Sequence, residues 1–350
     1  MDKRVTLMAI GLLSLAVVRA VGAAQPAPAD TSAAGSGDSA AGTGSTPAQL
    51  VDALNLVFGK QTDNRAVHAK GIVLHGRFLP SRAAADLSKA PHFQKKSVPL
   101  TVRFSNFAGI PTIPDNDGLA NPRGLALKFK LPDGTDSDLV THSFNGFPSP
   151  TADDFRQLLI ALGTSGPSVN HPTPADTYLA AHPFAKTFLE TQKLPPVSYG
   201  TLSYFGVNTF KFTNARGVAR YGRYRIIPEA GNDHLTPDAA AAKGPNYLFE
   251  EITDRILRGP VKFRIAAQVA DPGDTVDDAT VHWPEDCRVV DLGDIQLTAL
   301  VPDNATEQQR IIFDPIPRLD GIEPSDDPLL ELRAAVYLIS GRRRRAAPPQ

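Results

Sequence analysis

The feature that most limits the fold of this chain is a series of short segments in which apolar and polar residues alternate. A period of two residues is typical of β-strands with one buried face. Helical patterns lie between these segments, but without the regular strand–helix repeat of a parallel sheet. The pattern therefore favours an antiparallel barrel or sandwich with helices packed outside it. The predicted strands are 72–78, 100–106, 124–131, 209–213, 221–227, 261–269 and 294–300, and the predicted helices are 48–55, 152–162, 177–192, 247–258 and 329–340.

Size and charge limit the classes of partner. The chain has 350 residues, enough for one large domain or two modest ones. Its formal net charge is −1, so no strong electrostatic field favours nucleic acid or an anionic membrane. Composition alone therefore identifies no partner, and we expect none of the nucleic-acid class.

The N-terminus has the organisation of an export signal. Lys3 and Arg4 precede an apolar stretch at 7–18, and small residues follow at 21–24. The alternative, a membrane anchor, is disfavoured because the apolar run is short for ~30 Å of hydrocarbon and Arg19 interrupts it. We predict a signal peptide at 1–24, cleaved after Ala23 or Ala24, with no stable membrane anchor afterwards. A flexible linker at 25–47 and a core domain at 48–345 would follow, which makes the mature protein periplasmic or secreted.

The single cysteine, Cys287, excludes several kinds of site. It rules out an intramolecular disulfide and a zinc site built on paired thiolates. The sequence also lacks the C-x-x-C-H pattern of thioether-linked haem.

Three segments carry candidate chemistry. His68 lies among small residues in Arg65-Ala-Val-His-Ala-Lys-Gly71, which leaves room for a flat ligand over its ring. The alternative is a structural role, in which the histidine only donates a hydrogen bond to a backbone carbonyl. In 102–106 (VRFSN), an inward Arg103 and Ser105 could bind a carboxylate and orient an imidazole, whereas an edge strand would leave both in solvent.

The third segment lies near the C-terminus. Arg333 and Tyr337 are four residues apart in a predicted helix, so they share one face. An arginine beside a phenol stabilises phenolate, which is a hard anionic ligand suited to ferric iron. A terminal helix with one inward tyrosine is the alternative interpretation.

The order of these motifs resembles the catalase family. R-x-V-H-A-K-G is followed by V-R-F-S-x-x-A-G, P-R-G-x-A-x-K-F and a C-terminal R-x-x-x-Y. Asp-Leu-Val at 138–140, Thr-Phe-Lys at 209–211 and Trp-Pro-Glu at 283–285 continue the likeness, which covers about residues 48–343. The run at 321–328 is similar to the small catalase-related peroxidase branch. The resemblance implies an α+β fold, with a catalase-like antiparallel β-barrel, surrounding helices, and haem between the barrel and a C-terminal helix.

The resemblance also implies roles for individual residues. His68 would be the distal acid–base group and Ser105 its hydrogen-bonding partner. Tyr337 would ligate the iron of a non-covalent haem b (iron protoporphyrin IX), with Arg333 supporting the phenolate. The remaining cofactor-binding residues implied are Arg65 and Arg103 at the haem propionates and Phe155 stacked over the haem face.

One position departs from the family pattern. Catalases have an asparagine after the D-L-V-G motif as a second distal catalytic residue, whereas this chain has His142 there. Either Asn145 takes the role from a shifted position, or the polar partner for peroxide is altered. The departure favours electron donation by an organic reductant over dismutation.

The resemblance thus implies an exported haem peroxidase that reduces hydrogen peroxide, with organic hydroperoxides as a further substrate class. A small organic reductant would supply the electrons, catalase activity would be minor, and the role would be protection against oxidative stress. The alternatives are a true catalase, a haem-dependent isomerase or dehydratase of fatty-acid hydroperoxides, and a haem-storage or haem-sensing protein. The sequence defines neither the donor nor the oligomeric state, although a homodimer is compatible with it.

Overall fold

The computed structural model describes residues 45–61, 63–191 and 193–347. The predicted signal peptide and most of the predicted linker lie outside these residues. The described chain contains a continuous set of elements that begins at Pro47 and ends at Arg345. Within these residues, no helix combines the length and apolar character needed to cross a bilayer.

The centre of the fold is a closed antiparallel barrel. Strands β1 to β5 and β7 to β9 pair in the ring β1-β2-β3-β4-β5-β7-β8-β9, which the β9–β1 pairing closes. Two further strands, β6 and β10, extend the sheet beyond β7. The bounds are β1 (Gly71–Pro80), β2 (Val98–Ser105), β3 (Gly124–Lys130), β4 (Asp136–His142), β5 (Tyr204–Phe205), β6 (Phe210–Thr213), β7 (Ala219–Pro228), β8 (Val261–Val269), β9 (Val289–Leu300) and β10 (Ile322–Pro324).

Helices pack around this barrel, which confirms the predicted architecture. A threonine caps each of the helices α1 and α3, since Thr46 and Thr151 accept a hydrogen bond from the backbone N–H three residues on. The bounds are α1 (Pro47–Phe58), α2 (Arg82–Leu87), α3 (Ala152–Gly163), α4 (Pro174–Ala181), α5 (Pro183–Glu190), α6 (Pro237–Ala241), α7 (Tyr247–Arg258), α8 (Asn304–Arg310) and α9 (Pro328–Arg345).

The main core fills the barrel, and a second apolar cluster lies outside it. Side chains of the barrel strands and of α7 form the larger cluster, which includes Phe78, Phe104 and Phe263. The outer cluster joins α1, α3 and α9. The C-terminal helix α9 therefore packs against α1 and α3. This packing holds one face of α9 toward the barrel wall.

One helix prediction needs correction. A single helix was expected over 177–192, but the chain forms α4 and α5, with His182 between them. Pro183 is the physical reason, because proline lacks an N–H to continue the preceding helix and is favoured at the start of a new one.

His92 is a buried histidine inside the aromatic part of the core. It is 2% exposed, its ring lies 4.2 Å from the Phe93 ring and 4.8 Å from the Phe129 ring, and its Nδ1 has no hydrogen-bond partner. Burial lowers the pKa of His92 to about 3. The unfolded chain therefore binds more protons than the folded chain below the ordinary histidine pKa of about 6.5.

We expect His92→Leu to reduce the acid sensitivity of folding. The wild-type chain should lose up to about 1.4 kcal/mol of unfolding free energy per pH unit through this histidine as the pH falls below about 6.5. Urea unfolding at pH 7 and pH 5 measures the difference between the two proteins. His75→Leu, at an exposed position of β1, is the control, and an equal pH response in both variants contradicts the prediction.

Candidate active site

A cavity lies between strands β2 to β4 and helix α9, with about 700 Å³ of empty space that includes its opening to solvent. Both residues at the ends of the motif series, His68 and Tyr337, line it. Its apolar wall comes from strand, loop and helix side chains, namely Leu54, Val67, Leu125, Ala126, Val140, Phe313 and Val336. A mostly apolar cavity with a few convergent polar groups is typical of a small-molecule or cofactor site.

His68 occupies the segment before β1 in a strained backbone conformation. Its φ is 57°, and it is the single non-glycine residue with positive φ in the described part of the chain. This left-handed conformation costs about 1–2 kcal/mol for an ordinary L-residue. Two hydrogen bonds hold it, from His68 N to the Phe107 carbonyl (2.7 Å) and from Arg103 Nη2 to the His68 carbonyl (3.0 Å). Strain that is held in this way is often found at functional sites.

The His68 ring is fixed by Ser105 and by the absence of a side chain at Gly124. Ser105 Oγ lies 3.0 Å from His68 Nδ1. A Cβ at position 124 would lie 2.5 Å from Ser105 Oγ and 2.9 Å from His68 Nδ1, so a larger residue could not be accommodated there. Phe107 contacts the ring edge-on, with 5.5 Å between the ring centroids.

His68 is neutral at ordinary pH. Burial first, and then the charges of Arg103, His142, Arg333 and Arg65, lower its pKa to about 3. A neutral imidazole bonded to Ser105 through one nitrogen keeps the other nitrogen for a ligand, which is what a general base requires.

A cluster of three arginines lies at one end of the cavity. Arg65 donates to the carbonyls of Gln308 and Ile311, and Arg103 donates to the carbonyls of His68 and Ala69. Arg344, which is 3% exposed, also donates to the Ile311 carbonyl. Among the described residues, none of the three forms an ion pair with a carboxylate.

Burial and repulsion between neighbouring cations destabilise the charged forms of these three arginines. They lower the pKa of Arg103 to about 9 and that of Arg344 to about 10, and they shift the pKa of Arg65 well below its ordinary value. Buried cationic side chains without an anionic partner are costly, so the cluster is suited to an anionic ligand.

Arg344 belongs to a run of four arginines at 342–345, whose composition is typical of a solvated tail. The run is instead helical, because α9 continues through Arg345. Cations in the last turn interact favourably with the helix dipole, which helps to keep this run helical. Arg333, Tyr337 and Arg344 are spaced by four and seven residues, so one face of α9 presents all three.

Tyr337 lies at the end of a hydrogen-bonded chain. Arg333 donates from Nη2 to the Tyr337 phenol oxygen (2.9 Å) and from Nη1 to Asn208 Oδ1. Asn208 in turn donates to Asp327 Oδ2 at 2.6 Å. A guanidinium bonded to the phenol oxygen stabilises negative charge on that oxygen, as an anionic metal ligand requires.

The structure brings together most of the predicted site residues, but not all. His68, Ser105, Arg65, Arg103 and Tyr337 line the cavity, and Arg333 contacts Tyr337.

Asn145 and Phe155 lie away from the cavity lining. Asn145 follows the end of β4 and makes no hydrogen bond within the described chain. Phe155 lies on α3 and packs against Phe147, with 5.2 Å between the ring centroids. The roles of both residues stay predictions.

A buried polar network behind His68 was not recognised as functional in the sequence. Lys70 Nζ lies 2.8 Å from Asp115 Oδ1, and Asn106 Nδ2 donates to the same oxygen at 2.7 Å. Asn106 Oδ1 accepts hydrogen bonds from Arg123 Nη1 (2.6 Å) and from the Tyr199 hydroxyl (2.7 Å). Lys70 and Arg123 stand at specified positions of the motifs that resemble the catalase family, and Asn106 lies within one of these motifs, so the motifs could have indicated the network. The network supports the ends of the segments that carry His68 and Ser105.

The comparison with known families decides the identity of this arrangement. The family model described as Catalase matches residues 25–348. This chain belongs to the catalase family.

Two relatives of similar length specify the branch. The catalase-related peroxidase of Mycolicibacterium paratuberculosis is 37% identical over 306 residues, covering 86% of this chain and 95% of that protein. The catalase-related peroxidase of Synechococcus elongatus is 33% identical over 309 residues, covering 87% and 90%. The catalase of Pseudomonas aeruginosa is 29% identical over 304 residues, but the match covers only 58% of its length. The chain is therefore an oxidoreductase of the catalase family that acts on peroxide.

Solved structures share the fold. A fungal catalase matches with a TM-score of 0.71 at 22% identity, covering 81% of this chain and 60% of that chain. Catalase A from Saccharomyces cerevisiae matches with a TM-score of 0.71 at 23% identity, covering 80% and 61%. These matches confirm the predicted catalase-like α+β fold.

Haem is the cofactor that the family implies, and the residues present fit it. The cavity carries an arginine cluster without acidic partners at one end, suited to propionates, and a tyrosine bonded to arginine on its helical side. On the strand side, His68 lies with its second ring nitrogen available. Buried cations, an anionic oxygen ligand and a neutral base are the groups that a ferric haem site needs.

We expect Arg344→Gln to weaken haem retention at least about tenfold. The substitution removes a cation from the propionate end, and a hydrogen bond to a charged group contributes about 1.5–3 kcal/mol. Haem titration of the apoprotein, followed by absorption, measures the change. Arg342→Gln, an exposed residue of the same run, is the matched control, and equal haem affinity in the two variants contradicts the assignment of Arg344.

Proposed function

We propose that this chain is an exported haem b peroxidase that reduces hydrogen peroxide with electrons from a small organic donor, in protection against oxidative stress. The observation that carries the proposal is that His68 and Tyr337, 269 positions apart in sequence, line one cavity.

The chain supplies the acid–base chemistry through His68. For Nε2 to accept a proton from hydrogen peroxide, Nδ1–H must donate to Ser105 Oγ, and the 3.0 Å contact permits this. The protonated ring can then return the proton to the departing oxygen, so that water leaves rather than hydroxide. Haem, when bound, would supply the iron that receives the peroxide oxygen and stores the two oxidising equivalents.

The other residues of the site hold the cofactor. Tyr337 would ligate the iron, with Arg333 stabilising the phenolate. Arg65, Arg103 and Arg344 would bind the propionates. The apolar wall excludes bulk water, which strengthens each of these electrostatic interactions.

Two findings favour donor oxidation over dismutation. The relatives matched along nearly their whole length are named catalase-related peroxidases, whereas the catalase of Pseudomonas aeruginosa is matched over 58% of its length. In addition, the position of the second distal asparagine of catalases holds His142 here.

Export rests on the N-terminal sequence. Residues 1–24 have the positive start, apolar stretch and small residues of a cleavable signal. Mass spectrometry of the protein from a periplasmic fraction tests this, and a mature N-terminus at Ala24 or Gln25 is the expected result. An N-terminus at Met1 overturns the export proposal but leaves the peroxidase proposal intact.

The decisive experiment measures whether the protein consumes peroxide by oxidising an organic donor or by evolving oxygen. The haem-loaded protein should show a high-spin ferric phenolate spectrum that changes on addition of peroxide. Peroxide consumption should then depend on an organic donor such as a phenol, with little oxygen evolved. Rapid oxygen evolution without a donor would instead identify a true catalase, and the absence of a Soret band would overturn the haem assignment.

A further inference from the structure

We propose that His142 is the second hydrogen-bonding group of the distal cavity, and that it stands beside His68 in place of a distal amide. The inference rests on the proposed function, because it assumes that peroxide binds on the His68 side of the cavity. Four observations carry it, namely the strand register, the unpartnered ring nitrogens, the surroundings of the ring and the position of Asn145.

The register of three strands places His142 on the same face as Ser105. Gly124 of β3 pairs with Ser105 of β2 on one side and with His142 of β4 on the other. Directly paired residues of antiparallel strands point to the same face, with Cα atoms about 4.5–5.5 Å apart. Ser105, Gly124 and His142 therefore form one row across the sheet. Two positions back along the strands, Arg103, Ala126 and Val140 form the next row on this face, and all three line the cavity.

Gly124 leaves the space between the two histidines free of side-chain atoms. The His68 ring lies so close to Gly124 that a Cβ there would meet both its Nδ1 and its Cε1, at 2.9 and 3.0 Å. His142, the next residue in the row, is therefore a neighbour of the His68 ring. The charge interaction between the two histidines, which contributes to the low pKa of His68, agrees with this proximity.

Both ring nitrogens of His142 are buried, and neither forms a hydrogen bond of normal geometry within the described chain. The backbone of Phe144 lies near the ring and raises its pKa, although burial outweighs this effect. Buried polar groups are nearly always satisfied, and leaving one unpaired costs about 1–3 kcal/mol. His142 directly follows the lining residue Thr141, so a ring without a well-formed hydrogen bond at this position is placed to bond a ligand or a water in the cavity.

The surroundings of His142 keep it neutral and hold it in place. Phe188 packs edge-on against the ring with 6.3 Å between centroids, and Phe144 packs against Phe188 at 5.3 Å. Lys193 closes this aromatic cluster, with Nζ 4.4 Å from the centre of the Phe144 ring. Burial first, and then the charges of Arg333 and Lys193, lower the pKa of His142 to about 3.

Asn145 is in a different position. It lies three residues beyond the row, after β4 has ended, whereas His142 is the last residue of β4 and directly follows the lining residue Thr141. Ser143 holds the chain at this point, because its N–H donates to the Arg123 carbonyl and its Oγ accepts from Arg123 N–H at 2.9 Å. The shift in sequence therefore does not bring Asn145 into the row.

A neutral imidazole offers a ligand one N–H donor and one acceptor nitrogen, on opposite sides of a rigid ring. An asparagine amide can present its NH₂ group, its carbonyl or both. His142 can therefore replace the donor function of the amide while adding a basic nitrogen next to His68.

Cyanide is the probe for this inference, because it binds ferric haem without being consumed. We expect His142→Leu, which keeps the size of the side chain and removes its polar atoms, to raise the cyanide Kd of the haem-loaded protein about tenfold. His142→Asn should restore binding to within about threefold of wild type, because the amide also donates. Haem stoichiometry should stay unchanged in both variants, since Tyr337 and the arginine cluster are intact. Exposed His75→Asn is the matched control and should bind cyanide as the wild type does.

The outcomes separate the inference from the proposed function. If His142→Leu binds cyanide as the wild type does while Asn145→Ala weakens binding tenfold, Asn145 is the distal group and the inference is wrong. If His142→Leu and His142→Asn are weakened equally, the effect is one of packing and the inference also fails. If the wild type itself gives no haem spectrum or no cyanide shift, the proposed function fails first. Slower reaction of His142→Leu with peroxide, recovered in His142→Asn, gives independent support.

Discussion

His68→Ala should lower the second-order rate of peroxide consumption by the haem-loaded protein by about 10²–10⁴-fold, which is the contribution expected of a positioned general acid–base group. The neutral ring of His68, bonded to Ser105 through Nδ1, provides the Nε2 that accepts the peroxide proton. Among the described lining residues His68 is the single histidine, and His142 lies beyond that lining, where we expect it to bond the ligand rather than to act as the base. Stopped-flow absorption with limiting peroxide measures the rate, and the Soret band gives the haem content.

A second variant separates chemistry from backbone strain at His68. Because φ at this position is 57°, alanine is itself disfavoured there, whereas asparagine tolerates the left-handed region better. His68→Asn should therefore keep haem and fold at least as well as His68→Ala and yet be as slow with peroxide. Exposed His75→Ala should react as the wild type does. Peroxide turnover within a factor of a few of wild type in both His68 variants would show that another group moves the proton.

Much of the barrel follows from alternation in the sequence, and the exceptions have physical reasons. The predicted segments correspond to β1, β2, β3, β6, β7, β8 and β9. Strand β4 was not predicted because three of its seven residues, Asp136, Ser137 and Asp138, are polar in succession. Asp138 is nonetheless buried beside Lys128, whose Nζ lies 2.6 Å from its Oδ2. Because the ion pair compensates the buried charge of Asp138, this segment forms a strand although its sequence lacks alternating apolar residues.

The candidate site depended on the order of motifs rather than on any single residue. His68 and Tyr337 are brought to one cavity by the fold, and the ordered motifs between them indicated that they belong together. Arg344 was missed because a run of four arginines has the composition of a solvated tail, and only the helical phase of α9 turns Arg344 inward. His142 was noted only as a substitution, since the row with Ser105 and Gly124 becomes visible once the strand register is known.

The buried network behind His68 combines two cations with one carboxylate. Lys70 and Arg123 are 8% and 0% exposed, and Asp115, the anion between them, is fully buried. Asp115 Oδ1 accepts hydrogen bonds from Asn106 and faces Lys70 Nζ at 2.8 Å, while its Oδ2 accepts from Leu248 N–H at 2.9 Å. Asn106 N–H donates to the Lys70 carbonyl, so the network joins the segment after His68 to the end of β2.

Asp115→Asn should therefore lower the free energy of unfolding by about 3–5 kcal/mol, because it leaves the Lys70 ammonium buried without an anion and turns an amide NH₂ toward existing donors. The free energy of unfolding of a typical domain is about 5–15 kcal/mol. The loss should therefore appear as a large shift of the urea midpoint, with little change in the dependence of the unfolding free energy on urea concentration. Glu229→Gln is the matched control, since it makes the same chemical change in an exposed ion pair with Lys262 at 3.4 Å and should cost about 0–1 kcal/mol. If Asp115→Asn costs no more than Glu229→Gln, the carbonyls of Ile113 and Pro245, which already accept hydrogen bonds from Lys70 Nζ, are sufficient partners for the ammonium. The rigidity of the segment that carries His68 would then have to come from its backbone hydrogen bonds to Phe107 and Ala108 rather than from this ionic network.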